Sequence, residues 1–116
     1  MPLLVFRFAM EQITPCLVSA CLAGLCTRYD GQSKPDPSCL HRLAGYHWIP
    51  VCPEQLGGLS TPRPAAKLIG GDGHAVLAGT AQVVNATGND QTAAFVRGAT
   101  MVLAIAQAQN ITRCFL

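Results

Sequence analysis

Charged side chains are scarce in this chain. Lys and Arg together number eight, Asp and Glu six, and the formal net charge is +2. No run of Lys or Arg occurs, which excludes a non-specific phosphate-binding surface and, with it, a polymeric nucleic-acid partner. Long apolar runs are missing as well. The longest candidate, Ala93 to Ala106, is broken by Arg97, Gly98 and Thr100. It falls short of the roughly 18–20 apolar residues that a membrane span needs. The C-x-x-C spacing that marks a zinc site is absent, and so are internal repeats and low-complexity segments. The opening MPLLVFRFAM does not read as a signal peptide: Arg7 interrupts it, no basic segment precedes it and no cleavage site follows. That weighs against a secreted, disulfide-stapled domain, despite six cysteines. It predicts a reducing, cytoplasmic setting in which the thiols stay free.

What the chain does have is apolar content. Half of its residues are hydrophobic, which excludes intrinsic disorder. A length of 116 residues suits one domain with a single core. The pattern predicts an α/β fold: one small domain, a mostly parallel sheet covered on both faces by flanking helices, and a hairpin. Thr14 to Ala20 reads as a buried strand stopped by a glycine-bearing loop. Asp36 is placed to cap a helix with Pro37 at its first position, running to about Ala44 and ending at Gly45. His47 to Val51 reads as a second strand and Cys52 to Gly58 as a loop. AAKLI and HAVLAG, around the turn Gly70 to Gly73, predict the hairpin, with TAQVVNATG as a further strand. A long helix is expected over about Asp90 to Gln109. Phe95, Ala99, Val102 and Ala106, widened by Val96 and Leu103, would form its apolar face. ITRCFL then starts a last strand. Residues 1–13 read as a leader or a mis-set start, with Met10 as an alternative first residue, and the α/β domain begins at 14.

Two thiols stand out by position. Cys21 and Cys52 each follow an apolar strand closely, at the edge where parallel α/β sheets bind ligands. Thiolates from two such loops can converge on zinc or an iron–sulfur cluster; buried structural thiols are the alternative reading. Cys16 and Cys39 read as structural, and Trp48 and Phe95 as core. His41, His47 and His74 are scattered without ligand spacing. Glu54 lies two residues past Cys52, and Glu11 is the only other Glu. A carboxylate in an apolar cleft is a candidate general acid or base, because loss of water disfavours its charged form. Capping a helix start, or simply facing solvent, is the alternative. Arg28 and Asp30 read as a salt-bridged turn or as the rim of a binding mouth, and Arg63, between two prolines, as a contact for a carbonyl or phosphate of a nucleotide or as a side chain facing solvent.

Three stretches in order, LVSACLAG…CTRYDG, IPVCPEQLGGLSTPRP and GTAQVVNATGNDQTAAFVRGA, resemble the bacterial domain-of-unknown-function family that includes thiouracil desulfurase. The resemblance covers about residues 16 to 116. It implies a small α/β protein that converts thiolated uracil, as base or nucleoside, to uracil and sulfide. It further implies a 4Fe-4S cluster held by three cysteines, whose open iron takes the substrate's sulfur as a Lewis acid. By that resemblance Cys21 and Cys52 are two metal ligands and Glu54 is the acid/base or water-activating group. Ser19, Arg28, Asp30 and Arg63 become substrate-binding candidates. The family's third ligand lies in an SPSCG-like motif after the last strand, and this sequence stops before it. Cys114 falls within the strand, and Cys26 is a weak substitute. The expectation is therefore a domain lacking its C-terminal part, with impaired turnover and an exposed strand edge open to a homodimer. A non-enzymatic fragment, or a thiol- or zinc-binding module, is the rival expectation.

Overall fold

The computed structural model describes residues 14–116; the leader expected at 1–13 lies outside the described residues. The elements run β1 (Thr14–Ser19), α1 (Pro37–Leu43), β2 (Tyr46–Val51), α2 (Pro53–Leu56), β3 (Ala66–Ile69), α3 (Gly73–Leu77), β4 (Gln82–Asn85), α4 (Thr92–Ala108) and β5 (Cys114–Phe115). Strands β2, β1 and β5 form a parallel sheet in that order, and β3 pairs with β4 antiparallel in a separate ribbon. The expected α/β class, with its parallel sheet, flanking helices and hairpin, is what the chain adopts.

Strand β1 is central and buried on both faces, which accounts for its unbroken apolar run. Cys16, Leu17 and Val18 have no exposed surface. Cys16 and Val18 pack against Cys39 and Leu43 of α1. Leu17, on the opposite face, packs with Val51 and Ile111 and against Val102, Ile105 and Ala106 of α4. Helix α1 begins as its local sequence dictates: the Asp36 carboxylate accepts from the backbone N–H groups of Ser38 and Cys39, with Pro37 behind it.

Four local expectations are corrected. HAVLAG is helical rather than a strand, because Asp72 caps α3 by accepting from the Ala75 N–H at 3.0 Å. The partner of β3 is therefore β4, with Leu68 opposite Val83. Cys52–Gly58 is not irregular but carries the single turn of α2, started by Pro53. Trp48 is 40% exposed rather than core, because β2 is an edge strand and α1 covers Cys16 and Val18 beside it. Leu103 is exposed as well, one residue round the helix from the half-buried Val102.

Helix α4 joins the two sheets. Phe95 and Val96 pack on the ribbon beside Val76 and Val83, and the later turns pack on the parallel sheet. Between them Gly98 lies against α2. A methyl group on Gly98 would collide with the Pro53 carbonyl oxygen, and one on Gly57 with the carbonyl of Ala94. Only two glycines let these backbones approach so closely. The Arg97 Nη1 then donates to the Gly57 carbonyl at 3.0 Å. This contact fixes α2, and the residues around it, against the rest of the fold.

Candidate functional site

Parallel pairing decides where the two thiol-bearing loops emerge. Ser19 is in register with Val51, so β1 and β2 end side by side. The Ala20 N–H donates to the Val51 carbonyl at 2.8 Å and extends the pairing by one residue. The chain after β1 then winds into a tight turn. The N–H groups of Leu22 and Leu25 donate to the carbonyls of Ser19 and Ala20, and Gly24 takes a φ of 100° to close it. The Lys34 N–H donates to the Cys21 carbonyl at 3.0 Å, which folds the rest of this loop back onto Cys21.

Cys52 is the first residue past β2 and the N-cap of α2. Its backbone is extended, and its side chain makes no capping bond. The thiol instead reaches the other loop and donates to the Thr27 carbonyl, Sγ to oxygen 3.7 Å. In the first turn of α2, two residues past Cys52, Glu54 meets Arg63 in an ion pair through Nε and Oε2. The Arg63 side chain is only 7% exposed. Its Nη1 donates to the Ser60 carbonyl at 3.2 Å and the Thr61 hydroxyl at 2.8 Å, and its Nη2 donates to the Thr27 carbonyl at 3.0 Å.

These loops enclose a cavity of about 400 Å³, a size that admits a small molecule. Ser19, Cys21, Arg28, Cys52, Glu54 and Arg63 all line it, with Tyr29 and Phe95 as its aromatic walls. Asp30 stands behind the wall. Its carboxylate is 3.7 Å from the Arg28 Nε and accepts from the Gln32 N–H at 3.0 Å, the salt-bridged turn that the sequence also allowed. Glu54 is not isolated among apolar groups, since a guanidinium sits against it. Cys26 and Cys114 are exposed and lie outside the cavity, and Cys16 of β1 and Cys39 of α1 are buried against each other between the strand and the helix. A larger hollow of about 510 Å³ opens beside Arg42, Arg113 and Cys114, and neither Cys21, Cys52 nor Glu54 reaches it. Thr27 had no signal in the sequence, because it contributes a backbone carbonyl that any residue type would supply.

Residues 16–116 match the family model described as 2-thiouracil desulfurase. The chain belongs to that family. It is 41% identical over 100 residues to the protein YbbK of Bacillus subtilis (strain 168), an alignment that takes in 86% of this chain and 66% of YbbK. A solved structure titled as a 4Fe-4S-dependent thiouracil desulfidase, TudS, superposes with a TM-score of 0.70 at 41% identity. It covers 87% of this chain and 62% of its own. The chain thus spans about two thirds of the relatives it matches.

A four-iron cluster with one open iron asks for three thiolates, and soft sulfur donors suit it. The cavity offers two, Cys21 and Cys52. Among the described residues no three His, Cys, Asp or Glu side chains gather as a metal site. The donors are thus of the right chemistry and one short of the number. Among the described residues, no helix is long and apolar enough to cross a membrane.

Proposed function

We propose that the cavity takes a thiolated uracil, as free base or nucleoside, and that the reaction exchanges its thiocarbonyl sulfur for a water oxygen, giving uracil and sulfide. One observation carries the reading: Cys21, Cys52 and Glu54, drawn from two separate loops, line a single small cavity. The family match and the titled activity of TudS support it. In this reading Cys21 and Cys52 are two of the ligands of a 4Fe-4S cluster. The described residues bring two thiols to the cavity, and the third ligand of this reading is not among them.

The chain's own groups account for binding and proton handling. An uncharged, planar ring fits between Tyr29 and Phe95, where hydrophobic burial favours it. Both cations of the wall are engaged, Arg28 with Asp30 and Arg63 with Glu54, so a phosphate finds poor reception and the nucleotide is disfavoured. Ser19 offers a hydroxyl and Arg28 an N–H to the ring's carbonyl. Glu54, an acceptor as a carboxylate, orients a water and takes its proton as the water oxygen bonds to the ring carbon. The C–S bond breaks, the sulfur leaves with that proton as hydrosulfide, and the second water proton passes from the new oxygen to solvent, which completes the ring carbonyl. The two-residue edge strand β5 is the place where a second copy would add to the sheet.

Anaerobic iron–sulfur reconstitution followed by sulfide release from 2- and 4-thiouracil tests the reading. The chain is compared with one extended past Leu116 by a closing segment that bears an SPSCG-like motif. The extended protein should release sulfide, and Glu54→Gln should lower its rate about a hundredfold or more. Cys21→Ser or Cys52→Ser should abolish cluster retention, whereas Cys26→Ser should not. An extended protein with a complete cluster that releases no sulfide from either substrate would sink the assignment. A thiol- or zinc-binding module without turnover would then be the better reading.

A further inference from the structure

Arg63 is the most heavily bonded side chain of the cavity wall. A guanidinium carries five N–H groups, and four of them are committed to protein acceptors: Glu54, Ser60, Thr61 and Thr27. Its backbone N–H is committed as well, donating to the Tyr29 carbonyl at 2.7 Å. Main chain and side chain of this residue therefore both hold the Thr27–Tyr29 segment, which belongs to the loop of Cys21. The same side chain holds Glu54, two residues from Cys52. The Thr27 carbonyl accepts from Arg63 and from the Cys52 thiol together. A single acceptor thus ties the guanidinium, the second thiol and the first loop to one point.

Burial makes this arrangement consequential. With 7% of its side chain exposed, the guanidinium has little water to replace a lost partner. A cation left unpaired there is costly. Lysine is a poor stand-in, because a single ammonium cannot span the planar fork that reaches Glu54, Thr61 and Thr27 at once.

We propose that Arg63 is a positioning residue that fastens the Cys21 loop to the Cys52 loop and aims the Glu54 carboxylate into the cavity, without binding substrate itself. The part that concerns Glu54 rests on the desulfurase reading above; the fastening of the loops does not.

The test uses the chain without cluster and the probe dibromobimane. Each of two neighbouring thiolates displaces one bromide, two C–S bonds form, and the product fluoresces. Peptide mass spectrometry then locates the joined cysteines. The unaltered chain should give a Cys21–Cys52 product. Arg63→Ala should lower that yield at least tenfold at unchanged circular dichroism, and Arg63→Lys should fall between the two. Should Arg63→Ala fail to fold, Arg63→Lys decides by the same yield. In the reconstituted protein extended past Leu116, with and without the Arg63 substitution, the rate of sulfide release separates the roles. A fall in kcat with KM within twofold of the unaltered chain supports positioning.

Equal cross-linking in the unaltered and altered chains overturns the proposal, as does absence of the Cys21–Cys52 product from the unaltered chain. A raised KM with kcat preserved also overturns it, since Arg63 would then be holding substrate. If the extended protein with a complete cluster releases no sulfide while the chain cross-links as expected, the desulfurase reading fails and the fastening of the loops stands.

Discussion

Gly57 and Gly98 pack backbone against backbone, where α2 crosses α4. A methyl group on either one would run into a carbonyl oxygen of the opposite helix. Alanine is favoured over glycine within a helix by about 1 kcal/mol. Overpacking costs about 1–3 kcal/mol, and a backbone carbonyl cannot swing aside as a side chain can. The clash wins. Gly98→Ala should destabilise the fold by up to about 2 kcal/mol, read as a lowered midpoint of urea unfolding. A midpoint at or above that of the unaltered chain would show that α2 slides freely. The thiol at Cys52 and the carboxylate at Glu54 would then lack their assumed anchor.

Asp90 links stability to pH at the start of α4. Hydrogen bonds from the Thr92 hydroxyl and from the Thr92 N–H hold its carboxyl below the usual carboxylate value. A lowered value in the folded state means that the unfolded chain binds the proton more readily. The contribution is therefore complete above about pH 4 and is lost as pH falls through the lower folded value. Asp90→Asn keeps an acceptor but has no proton to gain. Its unfolding midpoint should decline less steeply below pH 4 than that of the unaltered chain. Parallel declines in the two proteins would exclude this linkage.

The six thiols should react in the order of their surroundings. Cys26 and Cys114 are exposed, Cys21 and Cys52 intermediate, Cys16 and Cys39 buried. Burial pushes the Cys16 thiol up, and the neighbouring Cys114 and Cys39 push it the same way. Only the thiolate is nucleophilic, so Cys16 is both shielded and protonated. A time course with iodoacetamide on the folded chain, followed by mass spectrometry, should label Cys26 and Cys114 first and Cys16 last. Early labelling of Cys16 would mean that β1 is not the centre of the sheet.

Much of this molecule was legible in its sequence wherever the cause is local. Asp36 followed by Pro37 announces a helix start, and the apolar run of β1 announces a strand buried on both faces. The family motifs named Cys21, Cys52 and Glu54, and the structure brings all three to one cavity. Short elements were harder. In HAVLAG the β-branched Val misleads, while a single carboxylate at Asp72 tips the segment into a helix. Trp48 misleads because large aromatics are usually covered, and only the sheet order shows that its strand lies at an edge. Least legible was the environment of Glu54. Its cationic neighbour lies nine residues on, past the rest of a helical turn and within the loop that follows, and nothing in the residue types specifies that Arg63 turns inward.

The parallel register of β1 and β2 sets unequal tolerances to changes of chain length. Residues 20–45 connect the two strands, and their exposed turns can grow or shrink while the strands stay paired. An inserted or deleted residue inside β2 is another matter. It would shift Cys52 along the sheet by about 3.3 Å and turn each following side chain to the opposite face. Among natural variants of this domain, length polymorphism should therefore collect between Gln32 and Pro35, past the Thr27–Tyr29 segment that Arg63 holds, while the six positions of β2 keep a fixed count even as their residues change.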